Sequence, residues 1–116
     1  MVSITTQVID SSTGKPAGEV AVTLEFHGGH GEWREIGTGM TNAHGVAGQL
    51  IAKTNRPEPG RYRMTFQTSS YFVAHGQRGF YPYITIVFEV VDSGENYHIP
   101  LMISPYGYST FKGANP

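Results

Sequence analysis

From Glu19 to Phe26 the large apolar residues Val20, Val22, Leu24 and Phe26 occupy every second position, while Thr23 and Glu25 face away. The same period of two recurs from Arg61 to Gln67, through Ile84, Ile86, Phe88 and Val90, and through Tyr97, Ile99, Leu101 and Ile103. Successive side chains of a strand point to opposite faces, so this alternation predicts half-buried antiparallel strands. Weaker strand candidates cover residues 2–9, 33–40, 47–52 and 106–112. Turn residues separate them: the polar loop Ser11 to Pro16, the glycine-rich hairpin His27-Gly28-Gly29-His30-Gly31, the tight turn Asn42-Ala43-His44-Gly45, and the proline-rich loop Arg56 to Gly60. About eight strands punctuated in this way predict an all-β sandwich. One short helix is predicted from Ser69 to His75, with a serine to cap its start and Gly76 just past its end. No repeat, linker or low-complexity segment interrupts the pattern, so a single domain over 1–116 is expected.

The same parity sorts the candidate chemistry. With Tyr97, Ile99, Leu101 and Ile103 in the core, His98, Pro100, Met102 and Ser104 must point to the outer face. On the first strand Ile4, Thr6 and Val8 turn inward, leaving Ser3, Thr5, Gln7 and Ile9 outward. An outer face carrying Ile9, Pro100 and Met102 is too apolar to stay wet, which predicts a subunit interface there. Gln7 and His98 then share one partly dehydrated surface.

Bulk properties narrow the function by exclusion. The 116 residues carry eight basic and nine acidic side chains, a formal charge of −1, with no run of one sign. Electrostatic capture of nucleic acid or anionic lipid is therefore not expected. The chain has no cysteine, which excludes a disulfide scaffold, a thiolate nucleophile and any sulfur-ligated zinc. The opening residues lack a basic region followed by a long apolar stretch, and nothing approaches the roughly eighteen apolar residues of a membrane span. A cytoplasmic protein without signal peptide or membrane segment is the expectation.

Several separated motifs then appear in order: Thr5 to Asp10 as Thr-Thr-x-Val-x-Asp, Thr13 to Ala17 as Thr-Gly-Lys-Pro-Ala, and Thr41-Asn42-Ala43-x-Gly45. Tyr71-Phe72 and Phe80-Tyr81-Pro82 follow, and the chain closes on Tyr97-His98-Ile99-Pro100 and Ser104-Pro105-Tyr106-Gly107-Tyr108-Ser109-Thr110. Together they resemble the transthyretin-related proteins, in particular the 5-hydroxyisourate hydrolases of purine breakdown. The resemblance covers nearly the whole chain. It implies a transthyretin-like (prealbumin-like) β-sandwich of two four-stranded sheets, assembled as a homotetramer (a dimer of dimers) with active sites in the channel between dimers. No metal or organic cofactor is implied.

Catalysis in those hydrolases is attributed to two histidines, an arginine and a Tyr-Arg-Gly-Ser tail. Carried over, the first histidine falls on Gln7, the arginine on Val46, and the aspartate preceding it on His44. The second histidine is kept as His98. The tail becomes Phe111-Lys112-Gly113-Ala114 and runs on through Asn115 and Pro116. Opening the isourate ring needs an activated water, a proton acceptor and a positive group for the developing oxyanion. His98 can serve as base, because an imidazole titrates near neutrality. Gln7 can hold a water or a substrate carbonyl but takes no proton. Val46 offers neither charge nor donor, and losing such a donor typically costs about 100- to 1,000-fold in turnover. Lys112 keeps a charge without the planar fork of arginine. Ala114 removes the tail hydroxyl.

The resulting site has His98, Gln7 and Lys112 as catalytic candidates. Val46, His44, Ser109, Tyr108, Gly113 and Ala114 are candidates for lining the substrate, although Tyr106, Tyr108 and Ser109 are better read as shaping the strand and interface than as doing chemistry. His44 reads either as a polar replacement near the pocket mouth or as an exposed turn residue. His27 and His30 form a histidine pair without a third ligand nearby, better explained as a hairpin tip than as a metal site. His75 is expected to face solvent or the last helical carbonyls, and Trp33 to pack in the core or hairpin. The functional reading is a hydrolase opening a cyclic amide, either isourate or an altered, less anionic ring admitted by Val46. The alternative is a small-molecule-binding tetramer that has lost the chemistry.

Overall fold

In the computed structural model, which describes residues 4–28, 31–48, 50, 58–92 and 94–114, the alternating stretches become strands that bury the residues their parity puts inside. The strands are β1 (Ile4–Asp10), β2 (Lys15–Pro16), β3 (Ala21–His27), β4 (Trp33–Met40), β5 (Val46–Ala47), β6 (Gly60–Phe66), β7 (Ile84–Val90), β8 (Tyr97–Ser104) and β9 (Gly107–Thr110). One sheet runs β4-β3-β6-β7 and the other β2-β1-β8-β9. Between them Val22 and Leu24 of β3, Met64 and Phe66 of β6, Val8 of β1, and Leu101 and Ile103 of β8 are buried almost completely. Burying one such side chain contributes roughly 1.5–3 kcal/mol, which is why the period of two holds so strictly here.

One expectation about strand direction is corrected. β1 and β8 run parallel, with Thr5 opposite His98 and Gln7 opposite Pro100, whereas antiparallel strands were expected throughout. A period of two reports which residues are buried and carries no information about the direction of the neighbouring strand. The edge position beside β1 is shared: β2 pairs with Ile9 and Asp10, β5 with Thr6 and Gln7. The expected four-stranded sheet therefore has its fourth place filled by two short strands in succession. Of the strand expected over 47–52, the described residues show β5 at Val46–Ala47; Gln49 and residues 51–52 lie outside the described residues, as do Gly29 and His30.

The helix, α1, spans Thr68–Ala74. Ser69 does not cap it: the residue before the helix is Gln67, which makes no side-chain capping bond. Its anchorage is tertiary instead. Tyr71 and Phe72 are buried, and the Tyr71 hydroxyl donates to Asp10 Oδ2 at 2.9 Å. Asp10, 1% exposed, also accepts the Ser12 N–H (3.0 Å) and hydroxyl (2.6 Å). Burial would push this carboxyl up, but the bonds from Ser12 and Tyr71 outweigh it and hold it below the usual carboxylate value. His75 stacks on the Tyr71 ring, with Nδ1 2.8 Å from the Tyr71 carbonyl. At the β3–β4 hairpin His27 lies against Trp33, and Arg63, held bidentately by Glu25, covers the Trp33 ring at 4.4 Å.

Candidate active site

The outward residues of β1, β5, β8 and the tail after β9 form two lateral rows on one sheet face. In one row Val46, Gln7 and Pro100 stand opposite one another across β5, β1 and β8. The other joins Thr5, His98 and Gly113, the last through an isolated bridge between His98 and Gly113. The rows are two residues apart along each strand, or ~7 Å. Parity therefore places Gln7 and His98 on the common surface that alternation predicted, without bringing them opposite each other.

His98 is the most constrained member. Its Nδ1 lies 2.8 Å from the Thr5 hydroxyl. On its other flank Gly113 approaches so closely that an added Cβ would stand 2.9 Å from His98 Cδ2 and 2.9 Å from Pro100 Cγ. Glycine is required there because any side chain would strike the ring. The Gly113 N–H donates to the His98 carbonyl at 2.8 Å, which fixes the tail along β8. Half-burial disfavours the imidazolium and lowers the His98 pKa below its ordinary value.

The second row is set by a turn. Asn42 Oδ1 accepts the N–H groups of His44 (2.8 Å) and Val46 (3.1 Å), and Gly45 adopts φ +76°. That turn delivers Val46 beside Gln7 and points the His44 carbonyl at Gln7 Nε2, 3.2 Å away. His44 thus contributes its backbone, while its side chain is exposed. With Nε2 engaged, Gln7 presents its Oε1 acceptor to the surface.

The remaining candidates divide. Ser109 lies opposite Met102 on the outer face. Tyr108 lies opposite the inward Ile103 and packs edge-on against Tyr81 at 5.3 Å, so it does not line the Gln7–His98 surface. Lys112 donates to Glu95 at 2.7 Å and sits over the Tyr97 ring at 5.4 Å, so the positive charge expected of it is paired within the protomer. Ala114 is exposed beyond the Gly113 bridge, and Asn115 and Pro116 lie outside the described residues. A groove of about 380 Å³ runs along the edge between β7 and the tail, lined by His98, Glu95, Lys112, Ile86, Phe88 and Phe111 among others. It reaches His98 but is not lined by Gln7, Val46 or His44.

Thr5 and Glu95 are the functional neighbours that sequence reasoning missed. Thr5 shares the parity of Gln7, but only the parallel register joins it to His98. Nothing in the order of residues pairs Glu95 with Lys112.

Comparison with known proteins places this geometry in a lineage. Residues 4–113 match the model of the HIUase/Transthyretin family, and the chain belongs to that family. It is 33% identical to 5-hydroxyisourate hydrolase of Mus musculus, over 96% of this chain and 94% of that protein. It is 38% identical to the uric acid degradation bifunctional protein of Arabidopsis thaliana over 96% of its own length, but spans only 37% of that longer protein. Among solved structures, Klebsiella pneumoniae 5-hydroxyisourate hydrolase superposes with a TM-score of 0.84 at 30% identity, covering 98% of this chain and all of that one. Transthyretin from Sparus aurata superposes at 0.88 with 31% identity, covering 97% of each chain.

Proposed function

We propose that this protein is a hydrolase of the 5-hydroxyisourate hydrolase type, opening a cyclic amide of purine breakdown by attack of water. The observation that carries the reading is His98: half-buried, biased to its neutral form, and held on Nδ1 by a hydroxyl so that Nε2 can act. The named hydrolase relatives, similar over whole chains, support the same reaction class. In this reading His98 takes a proton from water as the water oxygen bonds the ring carbonyl carbon. It returns that proton to the ring nitrogen as the C–N bond opens. Gln7 Oε1 accepts from that water or from a ring N–H. Val46, beside Gln7 on the β1–β8 sheet face, makes the proposed cleft between subunits neutral there and favours a less anionic ring. Lys112 can serve as cation only by leaving Glu95, a small loss for so exposed a pair.

The proposal includes a homotetramer in a cytoplasmic setting, with the outer face of the β1–β8 sheet lining a cleft shared between subunits. Half-buried Ile9, Val46 and Pro100, together with Met102 at 36% exposure, support an interface on that face. No helix among the described residues is long and apolar enough to cross a membrane.

Ultraviolet spectroscopy of freshly generated 5-hydroxyisourate, with and without the protein, tests the activity. Acceleration over the spontaneous rate is expected, with His98→Ala losing about 100- to 10,000-fold. If only N-methylated or related cyclic amides are opened, the altered-substrate version stands. Pairing of Lys112 with Glu95 and the neutral Val46 favour a second reading, a ligand-binding tetramer without chemistry. Binding of such rings without turnover would establish that reading and reject the hydrolase.

A further inference from the structure

We propose that Thr5 is a positioning residue for His98: its hydroxyl accepts from Nδ1–H and leaves Nε2 as the nitrogen that receives a proton. The inference rests on His98 acting as the base and adds the group that sets its tautomer. Three observations carry it. The Thr5 hydroxyl lies 2.8 Å from Nδ1. The parallel register puts Thr5 directly opposite His98, so the contact is built into the strand pairing rather than into a loop. Gly113 lies against Cδ2 on the opposite flank of the ring, where a Cβ would come within 2.9 Å. Nδ1 and Cδ2 are the two lateral atoms of an imidazole. With both occupied by neighbours in the sheet, the distal edge carrying Nε2 points away from the strands. Among the described residues no protein group hydrogen-bonds Nε2.

The direction of the Thr5 bond follows from chemistry. A hydroxyl can donate or accept, and which nitrogen of a neutral histidine carries the proton is set by the partner of the other. Were Thr5 the donor, the proton would sit on Nε2 and the outward nitrogen could not act as base. As acceptor, Thr5 serves both the neutral ring and the imidazolium, because Nδ1 carries a hydrogen in each. Proton uptake on Nε2 then needs no rearrangement of the support. A hydroxyl also brings no charge, so it orients the ring without favouring the imidazolium as a carboxylate would. The charged groups facing the adjoining groove are Glu89 from β7, Glu95 before β8, and Lys112 from the tail. Glu95 and Lys112 neutralise each other, and the outward neighbours on β1, Thr5 and Gln7, carry no charge.

The test is nitrogen NMR of the full chain with labelled histidine, recorded without substrate, alongside steady-state kinetics. The wild-type ring is expected to show a protonated Nδ1 and an unprotonated Nε2 in its neutral form. Thr5→Val keeps a β-branched strand residue of the same shape. It should move the proton toward Nε2 and lower kcat by roughly tenfold, the value of one neutral hydrogen bond. KM should stay within about twofold, since the group is not expected to touch substrate. Thr5→Ser should restore both tautomer and rate. A wild-type ring protonated on Nε2, or a Thr5→Val protein with unchanged tautomer and kcat, overturns the proposal. Should the wild-type chain fail to hydrolyse any cyclic amide, the hydrolase reading falls on that measurement, while the spectrum decides Thr5 independently.

Discussion

His98 combines half-burial with a neutral hydrogen-bond partner, and the two act together on its protonation. Removing solvent penalises the charged ring and lowers its pKa; Thr5 adds nothing to reverse that. The sign of the consequence is fixed. A base active in its neutral form gains activity as pH rises through its pKa, so the acid limb of kcat/KM is expected to have its midpoint below the ordinary imidazole value of 6.5. A limb centred above that value would show the base to be another group, or the ring to be stabilised as a cation. Lys112 illustrates the opposite case. Its partner Glu95 holds it in the charged form, but the lysine side chain is largely open to water and the bond contributes little to stability.

Among elements, the turn from Asn42 to Gly45 has the most influence on the site relative to its size. Asn42 gathers two backbone N–H groups, and Gly45 takes a left-handed φ of +76° directly under β1. A Cβ on Gly45 would stand 2.3 Å from the Val8 carbonyl oxygen. Gly45→Ala is therefore expected to cost about 2 kcal/mol or more and to detach Val46 from Gln7. Denaturant melts should reveal the loss, and a melt like the wild type would mean the turn can be rebuilt. This turn was legible in the sequence because its chemistry is local: Asn, then Gly three residues on. The inward and outward faces of β1 and β8 were legible too, since burial enforces alternation. The parallel pairing was not, because alternation is the same beside either neighbour. Lys112–Glu95 and Tyr108–Tyr81 were hidden for a related reason, each contact joining segments whose approach is decided only by the whole sandwich.

At the level of the whole molecule, the candidate site lies on a sheet's outer face rather than in a monomer's interior. Its floor is Thr5, Gln7, His98 and Pro100, and no groove among the described residues of one protomer encloses Gln7. The proposed tetramer would supply it by setting the corresponding face of a second protomer opposite. Light scattering at micromolar concentration is expected to give four times the protomer mass of 12.7 kDa. A monomer under those conditions would leave the site open to bulk water and deprive the proposed mechanism of its enclosure.

The parallel contact between the first and the penultimate strand also bears on how the protein is made. Thr5 and His98 are 93 positions apart, and no shorter pairing substitutes for the one between them. On the ribosome, Thr5 must wait for 93 further positions to be synthesised before its partner on β8 exists. Contacts of such long range slow folding, because loop closure must be paid before they reward it. Hydrolytic competence should consequently arise late relative to β1 and all at once, with the nascent protein inert until β8 and the Gly113 bridge arrive.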